Sequence, residues 1–272
     1  MAGVEHTEPL ATRVLGAAGR LATRSLIIAI LLVAWETFAR SGAVTMFMLP
    51  PLSLVLERIW SDALGGDLWL NIGVTLYRAI AGFLIAAVAG VVLGMAMSRS
   101  KIMSWFFDPI ISVGFPMPKI AFLPIIILWL GLYDVSKIAM IVFDAIFPVV
   151  TATIVGIQGV EKELIWSARN MGAKDREMMW QIVLPAALPQ ILTGLQVALP
   201  IALIVAVVCE MAMGGYGLGG AMMTSSRFAD SRGVFAGIVE IALVGYVIVK
   251  GMSVLRRRLL IWHQEANEPT TA

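Results

Sequence analysis

Residues 159–190 read GVEKELIWSARNMGAKDREMMWQIVLPAALPQ, a polar, mixed-charge island within a strongly apolar chain. Long apolar runs flank the island on both sides. The island contains charged residues of both signs, namely Lys162, Arg169, Lys174, Asp175, Arg176 and Glu177. Because charged side chains are costly in hydrocarbon, this segment must lie in water between two spanning helices. It therefore offers a surface to another molecule.

The composition indicates lipid as the solvent of most of the chain. Of the 272 residues, 59% are hydrophobic and 14% are charged, whereas soluble domains have about 45–50% apolar and about 25% charged residues. The net charge of +2 is too small to indicate a nucleic-acid partner. The single cysteine, Cys209, excludes an intramolecular disulfide.

Six apolar runs are long enough, or nearly so, to cross a bilayer, which needs about 20 residues of helix. The runs cover residues 25–39, 72–97, 103–132, 135–157, 191–213 and 234–254, and the third is interrupted by glycine and prolines. This pattern predicts an all-α, polytopic membrane protein with about six transmembrane helices. Residues 51–63 predict a short amphipathic helix, either on the outer membrane surface or packed within a loop.

The distribution of Lys and Arg sets the orientation, since cytoplasmic loops carry an excess of both. With a cytoplasmic N-terminus, only Arg40, Arg58, Arg227 and Arg232 face outward. Twelve others face the cytoplasm: Arg13, Arg20, Arg24, Arg99, Lys101, Lys162, Arg169, Lys174, Arg176, Arg256, Arg257 and Arg258. We therefore expect a cytoplasmic N-terminal segment 1–24, a membrane domain 25–258 with a cytoplasmic loop 159–190, and a cytoplasmic tail 259–272.

The island itself predicts two short helices, 161–171 and 174–182, that meet at Gly172, with Pro185 ending the second. Exposed aromatic residues are frequent anchors of interfaces, so Trp166 and its apolar neighbours Ile165, Ala168 and Met171 could fill a partner's groove. The other interpretation is an interfacial helix that lies on lipid headgroups.

The spacing within the island resembles the EAA loop of ABC importer permeases, E-A-A-x3-G-x9-I-x-L-P. Ser167-Ala168, Gly172, Ile182 and Leu184-Pro185 match it at full spacing, whereas Trp166 stands where the family usually has Glu. The resemblance extends over about residues 45–263 to the nitrate/sulfonate/taurine-type branch. It rests on an ordered series of short motifs at residues 48–51, 108–109, 116–121, 123–124, 129–131, 136–138, 184–189, 192–194, 210–211 and 260–262.

The resemblance implies a type I ABC importer (MetI-like) permease fold in a bacterial inner membrane. It implies a second permease subunit, as a homodimer, and a periplasmic or lipid-anchored binding protein that delivers a small anion. Two cytoplasmic ATPase subunits would bind ATP and Mg and receive the loop. The implied coupling residues are Trp166, Ser167, Ala168, Arg169, Gly172, Lys174, Ile182, Leu184 and Pro185. This chain would hold no cofactor, metal or catalytic residue, and it has no G-x-x-x-x-G-K-[ST] loop.

Ionisable residues inside apolar runs are candidates for function. Lys119 lies 14 residues before Tyr133 and Asp144 lies 11 after it, so at about 1.5 Å per residue they share a depth. We predict that they neutralise each other, either to fix helix packing or to leave a cation near the path of an anionic substrate. The candidate pathway and gate residues are Pro116, Pro118, Lys119, Asp144 and Glu210.

Two unrelated classes stay open as alternatives: an ion-coupled secondary transporter and an intramembrane enzyme. The enzyme is disfavoured because both histidines, His6 and His263, lie near the chain ends and no H-E-x-x-H or G-x-S-x-G motif occurs. An ion-coupled carrier would not need the polar island. In the second apolar run, Gly82, Gly90 and Gly94 predict close helix packing.

Overall fold

The computed structural model describes residues 26–261, and the predicted segment 1–24 and most of the tail 259–272 lie outside this range. The described chain is helical throughout, with no strand. Its α-helices are α1 (26–40), α2 (Leu52–Gly65), α3 (Asp67–Arg99), α4 (Lys101–Gly114), α5 (Leu123–Leu130), α6 (Asp134–Gln158), α7 (Lys162–Asn170), α8 (Asp175–Met178), α9 (Leu184–Met213), α10 (Leu218–Arg227) and α11 (Ser231–Leu259). A 3-10 helix, Lys119–Phe122, precedes α5, and a π-helical turn, Met179–Val183, joins α8 to α9.

The helices long and apolar enough to cross a membrane agree with the predicted runs. Within residues 26–261 they are α3, α6, the helix containing α9, and α11, with α4 and α5 as a fifth if this bent pair counts as one span. Helix α1 is the described part of the first run. The all-α, polytopic prediction is confirmed, and α2 confirms the predicted short helix near residues 51–63.

The core of the fold is the packing of α3, α6 and α9. Gly82, Gly90 and Gly94 on α3 lie against α6, and a Cβ atom at Gly90 would come within 2.8 Å of the Val149 side chain. Small residues at four-residue spacing thus let two helix backbones approach closely. The predicted packing role of these glycines is confirmed.

The third apolar run is broken in the middle. Helix α4 ends at Gly114, and the direction of the chain turns by 99° between α4 and the segment Lys119–Leu130. Pro116 and Pro118 occupy the connection, where the lack of a backbone N–H prevents continuation of the helix. Phe147 fills the space beside Gly114.

Pro185 does not end the second helix of the polar island, contrary to the sequence prediction. The helical backbone continues from α8 through the π-helical turn into α9, and Pro185 occupies the first turn of α9. Proline is tolerated in the first turn of a helix because its missing N–H has no obligatory partner there. The wider π-helical turn Met179–Val183 changes the hydrogen-bonding register of the backbone before Pro185, so that no N–H is needed at this residue.

Candidate functional site

The polar island folds as a short helix, α7, and the first part of the long helical segment that begins at α8, and the two meet at Gly172 as the sequence predicted. Gly172 has φ +87°, in the left-handed region that favours glycine. Its N–H donates to the Arg169 carbonyl (2.9 Å), and the Ala173 N–H donates to the Ala168 carbonyl (3.1 Å), which closes the end of α7. At the start of α8, the Lys174 N–H donates to Glu177 Oε2 (3.0 Å).

Two large apolar side chains of this turn face outward. Trp166 is 57% exposed and Met171 is 79% exposed. Ala168, in contrast, is buried, and Ile165 packs on the apolar cluster that contains Met178. Of the four residues predicted to fill a partner's groove, Trp166 and Met171 are therefore available to a partner, whereas Ile165 and Ala168 hold α7 against the rest of the chain.

The remaining residues of the predicted coupling set are spread along the turn and the start of α9. Ser167, Arg169, Lys174 and Pro185 are exposed, and Ile182 and Leu184 are half-buried. Arg169 lies 3.8 Å from Asp175 in an exposed ion pair, which holds neither side chain firmly. Together with Asp175, the exposed members form a surface of mixed charge around Trp166.

Lys119 and Asp144 form the predicted ion pair. Lys119 Nζ lies 3.0 Å from Asp144 Oδ1 and donates to the Phe115 carbonyl at 3.0 Å. The same ammonium lies 4.9 Å from the centroid of the Phe147 ring, a favourable position for a cation. Lys119 is buried, whereas Pro116 and Pro118 beside it are exposed. The bend between α4 and α5 thus points its cation into the fold and its prolines away from it.

Glu210, the fifth candidate of the pathway set, is fully buried and fully occupied. Its carboxylate lies 2.7 Å from Arg78 Nη1 and accepts hydrogen bonds from the Thr75 hydroxyl and the Gly219 N–H. Arg78 also contacts Asp134 and donates to the Tyr216 carbonyl. In this structure Glu210 ties α3, α9 and the start of α10 together.

The sequence did not predict the partners of Glu210. Lys137 adds to the same network by donating to the Gly214 carbonyl (2.9 Å), and Asn71 Oδ1 accepts from the Gly217 N–H (2.9 Å). The glycine-rich loop 214–220 is therefore held by hydrogen bonds at Gly214 and Gly217, and α10 begins at Leu218 within it. The signal available in the sequence was the presence of Arg78 and Lys137 within apolar runs.

A second ion-pair group lies outside the spanning helices, between α2 and α11. Arg58 lies 2.9 Å from Asp62 and 2.5 Å from Asp230. Burial by itself would raise the pKa of Asp230, but the Gly233 N–H and Arg58 outweigh burial and lower this pKa below its usual range. The pair fastens α2 to the first turn of α11.

The comparisons with known proteins agree with this architecture. Residues 82–261 match the family model described as "Binding-protein-dependent transport system inner membrane component". The chain is 32% identical over 243 residues to the taurine transport system permease protein TauC of Escherichia coli K12, with 88% of each chain covered. It is 35% identical over 238 residues to the putative aliphatic sulfonates transport permease protein SsuC of Bacillus subtilis 168, covering 87% of this chain and 86% of that protein.

A solved structure shares the fold. A chain of the inward-facing MetNI methionine ABC transporter superposes with a TM-score of 0.51, covering 70% of this chain and 95% of that chain at 19% identity. This level of identity speaks for the fold alone. The family match covers most of the core helices, the polar island and the Lys119–Asp144 ion pair. The chain belongs to the family of binding-protein-dependent transport system inner membrane components.

Proposed function

We propose that this chain forms, as a homodimer, the translocation pathway of an ATP-driven importer for a small sulfonate or related anion. Family membership makes the chain a multi-pass inner-membrane permease subunit of an ABC transporter, with ATPase and substrate-binding partners, and not an enzyme. The alternatives of an ion-coupled carrier and an intramembrane enzyme are thereby removed. The substrate class rests on the names of the relatives, which are permeases for taurine and for aliphatic sulfonates.

The observation that carries the proposal is the exposed surface of α7, Gly172 and α8. Trp166 and Met171 leave large apolar areas uncovered beside charged side chains, and such aromatic centres anchor protein interfaces. We infer that two cytoplasmic ATPase subunits, which bind ATP and Mg, each receive one copy of this surface. Ser167, Arg169, Lys174 and Pro185 would form its rim, while Ile182 and Leu184 support it from behind.

The direct connection from α8 to α9 supports coupling through this surface. The helical backbone runs from Asp175 to Met213 without a loop, and α9 packs on α3 and α6 in the core. A displacement of α8 by a partner would therefore move a core helix. The excess of Lys and Arg in the segments on this side supports a cytoplasmic location for this surface and for both termini.

The buried Lys119 is our candidate for attracting an anionic solute. It already has one carboxylate partner, Asp144, at 3.0 Å, so an arriving sulfonate would compete with Asp144 for the ammonium. Pro116 and Pro118 place this cation at the 99° bend, where a shift of α4 against α5 would change its exposure. Glu210 lies near the C-terminal end of α9, and its role in the pathway would be to hold the glycine-rich loop in place.

Affinity purification of the tagged protein from its native membranes tests the coupling surface. We expect one ATPase to co-purify with the wild type and to be lost in Trp166→Ala and Gly172→Val. The matched controls are Trp60→Ala, which removes an exposed tryptophan of α2, and Gly42→Val, at another glycine of positive φ with open surroundings. Both controls should retain the ATPase. Absence of an ATPase from the wild-type complex, or its retention by both island variants, would refute the proposed docking surface.

The substrate requires a separate experiment. Uptake of radiolabelled taurine by cells that carry the complete transporter should be saturable and should fall in Lys119→Met. Competition by ethanesulfonate without competition by a neutral alcohol of the same size would support recognition of the sulfonate group. If the transporter neither takes up taurine nor is inhibited by ethanesulfonate while the ATPase still co-purifies, this substrate class is rejected. The proposed coupling surface would not be affected by that result.

A further inference from the structure

A cavity at the end of the bundle near the glycine-rich loop borders the Arg58 ion pairs, and the functions proposed above do not use it. It has a volume of about 480 Å³ and lies among α2, α3, the loop, α10 and α11. Carboxyl groups from three helices line it, those of Asp62, Asp67 and Glu240, against one guanidinium, that of Arg58. The lining therefore carries an excess of negative charge.

Glu240 is the unusual member of this lining. The residue is 8% exposed, and its Oε1 atom is buried with no hydrogen-bond partner among the described residues. Buried carboxylates are normally paired or hydrogen-bonded, because an unpartnered polar group in the interior is costly. Every other buried charged side chain in residues 26–261 has a partner: Arg78, Lys119, Lys137 and Glu210.

The cavity's own cation does not satisfy Glu240. Arg58 is bound to both carboxylate oxygens of Asp62 and to Asp230. The Thr224 hydroxyl, also in the lining, donates to the Gly220 carbonyl (2.8 Å). Arg58 and the Thr224 hydroxyl thus bond to other groups, and no donor of the described residues reaches Glu240 Oε1, which can accept from a donor outside the chain.

We propose that this cavity binds a ligand that carries a primary ammonium group, with Glu240 as its counter-ion. A metal ion fits less well, because the described residues contain no group of three or more His, Cys, Asp or Glu side chains placed to hold one. An ammonium group needs fewer acceptors, since its three donors can be shared between one carboxylate and neutral oxygens. The apolar walls of Leu68, Ala221 and Met222 would cover the alkyl part of an organic amine.

Two sources could supply that ammonium, a soluble amine or the ethanolamine headgroup of a lipid. The lipid source is within reach because Trp60, Leu64 and Trp69, beside the cavity on α2 and α3, are more than 60% exposed. Tryptophan is enriched at the level of lipid headgroups, which places the cavity mouth at that depth. The inference does not depend on the sulfonate substrate proposed above.

The test uses the full-length protein in nanodiscs of phosphatidylcholine and phosphatidylglycerol, which contain no primary amine. Ethanolamine, protonated at neutral pH, is titrated by calorimetry, with ethylene glycol as the neutral control. We expect saturable binding of ethanolamine alone, weakened at least about tenfold in Glu240→Gln, because a charged hydrogen bond is lost. Glu57→Gln, a carboxylate of α2 outside this cavity's lining, should bind as the wild type does.

A second variant separates loss of the site from loss of the fold. Ala221→Leu fills the cavity while it keeps the carboxylate, and it should also weaken binding; a cooperative thermal transition confirms that each variant is folded. Nanodiscs that contain phosphatidylethanolamine distinguish the two sources. If the lipid headgroup occupies the cavity, it competes with added ethanolamine and the apparent binding is weaker; unchanged binding assigns the site to a soluble amine. No saturable binding to the wild type in either nanodisc, or equal binding to folded Glu240→Gln, would overturn the proposal.

Discussion

Removal of the Glu210 carboxylate should release the end of α9 from α3. In Glu210→Ala, Arg78 keeps the exposed Asp134 and the Tyr216 carbonyl, but it loses its buried partner at 2.7 Å. The Thr75 hydroxyl and the Gly219 N–H lose an acceptor at the same time. Breaking a buried ion pair by removing one partner costs about 3–5 kcal/mol. Since Asp134 still compensates part of the charge on Arg78, we take about 3 kcal/mol.

The adjacent residue provides the assay. Cys209 is the single cysteine of the chain and is fully buried, so a maleimide reaches it only when this region opens. A loss of about 3 kcal/mol in the free energy of local opening corresponds to an increase of more than about 100-fold in the labelling rate. Glu163→Ala, which removes an exposed carboxylate of α7, is the control and should not change the rate. Labelling of Glu210→Ala at the wild-type rate would refute the argument that this network holds the loop.

Three further predictions concern packing, the buried pair and pH. Gly90→Val should destabilise the chain by about 1–3 kcal/mol in thermal unfolding, because its side chain would overlap Val149. Gly73→Ala, in open space on the same helix, is the control and should be neutral or stabilising by up to about 1 kcal/mol. Equal effects of the two variants would contradict the close packing of α3 on α6. Lys119→Met and Asp144→Asn should each lower the melting temperature more than the double variant does, since each single change leaves one charge buried without its partner; a double variant as unstable as the sum of the two would show that the pair is not coupled. The pKa of Asp230 is lowered in the folded state, so its contribution is present above the unfolded pKa of about 3.9 and is lost as the pH falls through the lower folded value. The protection of α2 against hydrogen exchange, taken relative to the intrinsic exchange rate at each pH, should therefore fall below about pH 4 in the wild type. The loss corresponds to under about 1 kcal/mol for so exposed a pair, and Asp230→Asn should show the lower protection already at pH 7.

Much of this architecture was predictable because it depends on local patterns. Each apolar run except the broken third became one helix, since backbone groups in lipid must be satisfied within their own segment. The Lys119 and Asp144 pair was predictable from depth alone, because two charges at nearly the same distance from one turn of the chain have few other partners. The turn at Gly172 followed from glycine's access to positive φ.

The partners of Glu210 could not be predicted in the same way. They come from α3 and the start of α10, and Gly219 and Thr75 lie 9 and 135 positions from Glu210 in the chain. Their meeting depends on how the helices pack, which local periodicity does not encode. The prediction that Pro185 ends the helix was wrong because the π-helical turn before Pro185 changes the position at which a backbone N–H is needed. Local periodicity does not encode such a turn.

The uninterrupted backbone from Asp175 to Met213 has a mechanical consequence. Its 39 residues correspond to a rod of nearly 60 Å at about 1.5 Å per residue, longer than the hydrocarbon layer is thick. No flexible loop within this segment can absorb a tilt that is imposed at α8. The tilt must either bend the helix, for which Pro189 and Pro200 provide hinges, or move Glu210 and the glycine-rich loop at the opposite end.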